Sequence, residues 1–318
     1  MGSNCPSSIV TQPAFNLEIS EAEQKAQVTK FLAEDERRTR IPRFLRTVLT
    51  RLVLRNSSLG KRIVATHGTV LGAIDTYILK LGPENLGPWA KLADRRIAAS
   101  LPVLAVRLRL QDMARLMADS LLPALRTSTD RPLHFLNLAG GTAIDSLNAL
   151  LVLSKRAAGL LVRPVVIDVL DRDSIGPEFG ERVLRALQAD GGPLQGLTIT
   201  FRCARWDWRG DGAILSAVVA AAGAANALAI ASSEGGLFEY GADPEMVDAL
   251  TRLRDGDLVG VVGSVTRADE PVRRLHRDGG VATRPRGLDN FRKLIAPTGW
   301  TVSRAIERPF SDHVILSL

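Results

Sequence analysis

From residue 130 onward this chain alternates short apolar runs with helical stretches, and no other feature of the sequence constrains its fold as strongly. Residues 133–138, 164–170, 197–203, 227–231 and 258–262 read as strands, with helices expected over 145–155 and 177–188, in the alanine-rich stretch before 227, and over 244–253. Two further strand runs, 300–305 and 313–318, close the chain. Apolar strands that alternate with helices form a parallel sheet covered on both faces. Ligands of such sheets sit at the carboxyl ends of the strands.

Residues 18–126 follow a different grammar. Strand alternation is absent, Ser20 and Glu23 read as a helix cap, and apolar residues recur at helical spacing after Pro42 and again through a long segment from Trp89 to about Leu122. The polar stretch Thr127-Ser128-Thr129-Asp130-Arg131-Pro132 divides the two parts. The expected architecture is therefore α/β: a Rossmann-like, seven-stranded, mostly parallel sheet over residues 130–318, preceded by an all-helical cap over residues 1–129.

Charge follows the same boundary. The chain carries a net charge of +7, and the first 130 residues account for it, with 19 basic against 12 acidic side chains; the remainder holds 22 of each. The arginines between Arg37 and Arg55 read as a solvated helix face, and the sparse aromatics offer no platform for stacked bases. An excess confined to the cap favours an acidic or phosphorylated small ligand over nucleic acid, and makes the helical part a candidate dimerisation region as well. Two cysteines support neither a disulfide framework nor a four-cysteine zinc site, and none of the four histidines pairs at metal-ligand spacing, so no metal is expected. With no secretory pattern in the first 30 residues, a reducing cytoplasm is the expected compartment. Residues 213–231 are apolar enough to pose the question of a membrane span, but their alanine and glycine content reads as a buried helix followed by a buried strand.

The chemistry concentrates at strand ends. Asn137-Leu138-Ala139-Gly140-Gly141-Thr142-Ala143 leads from the first strand straight into a helix, where small residues admit close approach of a ligand to free amide donors. It lacks the Gly-Lys-Ser/Thr of a phosphate loop. Asp168 and Asp171 near the end of the second strand are alternative acceptors for ribose hydroxyls, and Asp207, next to Trp208, is placed to accept from an adenine amino group beside an indole.

A small-residue loop, a ribose carboxylate and a purine carboxylate, in that order, resemble the class I S-adenosylmethionine-dependent methyltransferases. The loop stands where that family has Asp-x-Gly-x-Gly-x-Gly and departs from it at Asn137, Ala139 and Ala143. Residues 232–240, Ser-Ser-Glu-Gly-Gly-Leu-Phe-Glu-Tyr, resemble a glutamate-glycine-leucine-x-x-tyrosine stretch of some small-molecule and carboxyl methyltransferases, and the closing strand pair is similar to the family's antiparallel hairpin. The resemblance implies S-adenosylmethionine as cofactor, held by Asn137, Ala139, Gly140, Gly141, Thr142, Asp168 or Asp171, Asp207, Trp208 and Ser233. It implies a small-molecule methyl acceptor from specialised metabolism, and a helical cap that serves as lid.

Methyl transfer from a sulfonium is an in-line displacement that needs positioning first and a base only when the acceptor must lose a proton. Glu234, Tyr240 and His67 are the candidate catalytic groups. Seven arginines between Arg267 and Arg292 read as a mobile flap able to clamp an anionic acceptor. Two other functions fit parts of the pattern. A nicotinamide-dependent oxidoreductase would use the same glycine loop and ribose acid but would want a third glycine and a Tyr-x-x-x-Lys pair, and a nucleic-acid-binding or modifying protein would use the basic cap.

Overall fold

The computed structural model describes residues 16–42, 44, 45, 48, 55–65, 72–279 and 282–318. The helix expected just after Pro42 lies largely outside these residues, as does His67. Among the described residues five helices come first: α1 (Glu21–Thr39), α2 (Ser58–Ala65), α3 (Ala73–Lys80), α4 (Leu92–Ala98) and α5 (Leu101–Thr127). Ser20 and Glu23 cap α1 reciprocally, as their spacing implies. The single helix expected from Trp89 is two, because Ser100 takes an extended conformation and Pro102 sits in the first turn of α5.

Strands and helices then alternate: β1 (Leu133–Leu138), α6 (Ile144–Ala157), β2 (Val165–Asp171), α7 (Ile175–Gln188), β3 (Ile199–Arg205), α8 (Ala213–Ala224), β4 (Leu228–Ser233), the short α9 (Leu237–Tyr240), α10 (Asp243–Arg254), β5 (Gly260–Thr266), α11 (Glu270–Gly279), α12 (Leu288–Ile295), β6 (Thr301–Glu307) and β7 (Ser311–Ser317). The sheet order is β3-β2-β1-β4-β5-β7-β6, parallel from β3 to β5, with β7 antiparallel to both of its neighbours. This is a Rossmann-like mixed sheet, mostly parallel, whose order reverses between β1 and β4. The alanine-rich stretch divides into α8 and β4, and no described helix is long and apolar enough to cross a membrane.

Alternate residues of each strand feed two cores. Leu133, Phe135, Val165, Ile167 and Val169 pack under α5, α6 and α7, whereas Leu136, Leu138, Leu170, Ala229 and Ala231 pack under α8, α10 and α12. The first core runs without interruption from Leu59 in α2 to Ile315 in β7, so the helical part and the sheet share one interior. Strand β3 departs from the expectation of burial on both faces. As an edge strand it exposes Thr200, Arg202, Cys203 and Arg205.

The segment after β5 is not a loose flap. It folds as α11 and α12, and its arginines are engaged within the protein. Arg267 binds Asp269, Glu307 and Asp312; Arg274 binds Glu270, Glu36 and Asp35; Arg277 binds Asp35; and buried Arg286 donates to the carbonyls of Phe238 and Gly241 and to Asp243. Arg273 and Arg292 pair with Glu270 and Asp289 of their own helices. An anionic acceptor would have to displace these partners.

Candidate cofactor site

The loop after β1 is built for close approach. Ala139, Gly141 and Ala143 all adopt left-handed backbone conformations, at φ 54°, 59° and 50°. Such angles suit glycine and strain alanine, so both departures from the glycine pattern keep the glycine shape at a cost. A side chain at Gly140 would meet the Asn137 amide, one at Gly236 the Ala139 carbonyl, and one at Gly180 of α7 the Thr142 carbonyl at 2.3 Å. The loop is thereby pressed between β4 and α7.

Asn137 and Ser233 lie at the ends of β1 and β4, and both are fully buried. The Asn137 amide donates to Asp145 Oδ1 (2.8 Å) and Ser146 Oγ (3.2 Å), while the Ser232 hydroxyl donates to Asp145 Oδ2 (2.8 Å). Asp145, in the first turn of α6, thus supplies the carboxylate that residue 137 lacks. Burial, reinforced by the charge of Glu234, pushes its carboxyl up to about 6. Among the described residues the Asn137 Oδ1 and Ser233 Oγ atoms are buried without a hydrogen-bond partner, at the two strand ends that flank the reversal of strand order.

The two aspartates on β2 part company. Asp168 points into the second face, where His134 Nε2 lies 2.6 Å from its Oδ2 and Arg202 Nε 2.7 Å from its Oδ1. Burial raises its carboxyl, but those hydrogen bonds more than reverse the effect and hold it below the usual range. The structure places Asp168 away from the glycine loop and brings Asp171 to it: the Gly141 amide donates to Asp171 Oδ2 at 3.0 Å. Burial pushes the Asp171 carboxyl up. Asp207, just past β3, is bridged by Arg209, whose hydrogen bonds hold it at about 2. Trp206 is buried in the second core with its ring 6.4 Å from that of partly buried Trp208, so Trp208 is the indole nearer the surface.

Glu234 and Glu239, after β4, belong to a buried ionic cluster. Arg109 of α5 donates to Glu234 Oε1 (2.9 Å) and Glu239 Oε2 (3.0 Å), and Lys80 of α3 donates to Glu234 Oε2. Burial would raise the Glu234 carboxyl, yet Lys80 and Arg109 outweigh it and hold it low. Burial and the neighbouring Glu239 push the Tyr240 hydroxyl up to about 12. A second cluster lies one turn further along α5, where Asp112 accepts from Arg308 (2.7 Å) and stands 2.9 Å from His313 Nδ1, whose Nε2 is 3.1 Å from Ser311 Oγ. Lys80, Arg109, Asp112 and Asp145 were not among the sequence candidates. For Arg109 and Asp112 a signal was there: Leu104, Leu108, Leu110, Met113 and Leu116 spread around α5 and leave little solvated face for the charges among them.

His276 of α11 bonds Thr283 at 2.8 Å. Among the described residues no group of three metal-ligating side chains occurs.

No protein-family model and no curated protein matches the chain. Its fold is similar to solved S-adenosylmethionine-dependent methyltransferases. An O-methyltransferase family 2 protein from Planctomyces limnophilus, in complex with apigenin, is 13% identical and aligns over 96% of this chain and 98% of that one, with a TM-score of 0.41. Human N-acetylserotonin methyltransferase in complex with SAM is 14% identical over 80% of this chain and 66% of that one, at 0.33. The pyocyanin biosynthetic protein PhzM is 17% identical over 66% of this chain, at 0.37, and the alignment spans 57% of its length.

Proposed function

We propose that this chain is an S-adenosylmethionine-dependent methyltransferase acting on a small-molecule acceptor. The observation that carries the reading is the 3.0 Å hydrogen bond between the Gly141 amide and the Asp171 carboxylate. It joins the small-residue loop of β1 to the acidic end of β2, beside the reversal of strand order where an α/β sheet takes its ligand. A dinucleotide fold continues its order as 3-2-1-4-5-6, whereas here an antiparallel β7 occupies the sixth position, which weighs against a nicotinamide oxidoreductase.

The residues fit the cofactor in chemical kind. Asp171 would accept from ribose hydroxyls, the Gly140–Gly141 backbone would face the same group, and the orphaned Asn137 and Ser233 oxygens would accept from an ammonium. Asp207 and Trp208 remain the purine candidates. When bound, the cofactor supplies a methyl group on a cationic sulfur.

The chain's own contribution is to position. Glu234 is held ionised by two cations and Tyr240 is held protonated, so neither is poised as a base near neutral pH. Catalysis then rests on holding acceptor and methyl group in line. The engaged arginines after β5 remove one argument for an anionic acceptor, the arginine clamp, and leave its class open to a substrate panel.

Titration calorimetry with S-adenosylhomocysteine tests the reading. Wild type is expected to bind, and Asp171→Ala to bind about 10- to 100-fold more weakly, the worth of a charge-assisted hydrogen-bond pair. No heat with either S-adenosylmethionine or S-adenosylhomocysteine would overturn it.

A further inference from the structure

The seat that Asp171 and the glycine loop define is covered. Helix α3 lies across it with Ala73, Tyr77 and Lys80 on its inner stripe. Ala73 fills the notch between Gly141 and Gly176: a methyl group built on Gly141 would fall 2.5 Å from the Ala73 Cβ, and one on Gly176 would fall 2.6 Å from it. A ribose that reaches Asp171 beside Gly141 competes for that notch. Tyr77 is buried against Phe179 of α7, with ring centroids 4.8 Å apart and a hydroxyl that has no partner among the described residues. At the far end of the helix Lys80 reaches Glu234 after β4.

We propose that α3 is a gate over the cofactor seat, latched shut by the Lys80–Glu234 ion pair and opened when the cofactor binds. The ligand named here rests on the methyltransferase reading above; the gate itself rests on the position of α3. Three features make the helix releasable. It has only eight residues, too few to be stable without its docking contacts. Glycines bound it on both sides, Gly72 before and, just past Leu81, Gly82 at φ +72°. Its departure leaves Glu234 still paired, because Arg109 holds the other carboxylate oxygen at 2.9 Å, while the Lys80 ammonium gains water. Opening therefore strands no buried carboxylate.

A closed gate reduces apparent affinity by the fraction of molecules that are open. Lys80→Met removes the latch and is expected to bind S-adenosylhomocysteine about tenfold more tightly than wild type. Its α3 amides, 76 to 80, are expected to exchange with deuterium faster than those of wild type before ligand is added, and Lys80→Arg is expected to restore both values toward wild type. Equal affinity together with equal protection of α3 would overturn the gate and leave the methyltransferase reading standing. Absence of binding to wild type and to both variants would overturn that reading, and the gate with it. Should Lys80→Met fail to fold, wild type alone decides by stopped-flow tryptophan fluorescence. A binding rate that levels off with ligand concentration at the α3 opening rate supports the gate, and one that rises linearly throughout overturns it.

Discussion

At residue scale the site turns on an exchange between positions 137 and 145. The loop resembles one that begins with an acid, and here it begins with Asn137, whose amide donates to Asp145 eight residues later. The negative charge has moved from the strand end to the first turn of α6, where the helix N-terminus favours it and burial opposes it. Burial wins and raises the carboxyl to about 6. A raised native value means that Asp145 favours the fold fully below its unfolded value near 4 and loses that advantage as pH rises through about 6. Two units correspond to about 3 kcal/mol. Asp145→Asn cannot ionise and so escapes the loss. Its stability relative to wild type is expected to improve by up to about 3 kcal/mol between pH 4 and pH 7, on top of a constant cost for one altered hydrogen bond. Urea melts of both proteins at the two pH values measure this, and an identical difference at both would refute it. Asn137 and Ser233 were legible as candidates because the loop and the strand ends announce themselves in sequence. Asp145 was not, since an acid in a helix's first turn reads as an ordinary exposed cap.

At element scale the alternation of strands and helices was legible because each element obeys one period and each connection is short. Boundaries moved by two to four residues where a strand runs on into polar residues, as in β3 through Arg205 and β5 through Thr266. The supposed flap shows the limit of composition. Arginine-rich segments look solvated, yet Arg286 is buried because three acceptors in and just after α9 converge on it. The same blindness hid the element that fastens the two parts of the chain. Buried Arg163, ahead of β2, donates to the carbonyls of Leu125, Ser128, Arg131 and Leu160, tying the end of α5 to the start of β1. No local pattern marks it, because its partners stand up to 38 residues away. Arg163→Ala is expected to cost about 3 kcal/mol by leaving several of these carbonyls without a donor. Arg163→Lys, with a point charge in place of a planar fork, should recover only part of that. Guanidinium chloride melts rank the three proteins; an unchanged midpoint for Arg163→Ala would show that water serves these carbonyls as well.

At the scale of the whole molecule the sequence reads as two parts, a basic helical cap and a neutral sheet, and the packing joins them. The first core is continuous from Leu59 to Ile315. Buried charges cross the same boundary: Arg109 to Glu234 and Glu239, and Asp112 to Arg308 and His313. Part of the cap's positive excess is therefore structural. Burial raises the Asp112 carboxyl, but hydrogen bonds from His313 and Arg308 prevail and hold it below the usual range, so this contact strengthens the fold above its unfolded value and weakens it in acid as pH falls through the depressed native one. Cross-links of this kind make partial unfolding costly, because lifting α5 off the sheet separates Arg109 and Asp112 from buried partners that stay behind, Glu239 and Arg308 among them. Thermal unfolding of a Trp89→Phe variant, whose remaining tryptophans Trp206, Trp208 and Trp300 all lie in the sheet half, is expected to be one transition, with far-UV circular dichroism, weighted to the helices, and tryptophan fluorescence falling on one curve. Asp112→Asn should move both transitions down together, at a cost of about 3–5 kcal/mol, by leaving buried Arg308 without its counter-charge. A helical signal that loses part of its amplitude first, while the tryptophans keep their native environment, would mean that the cap folds apart from the sheet, and that the buried charges between them guide docking without coupling stability.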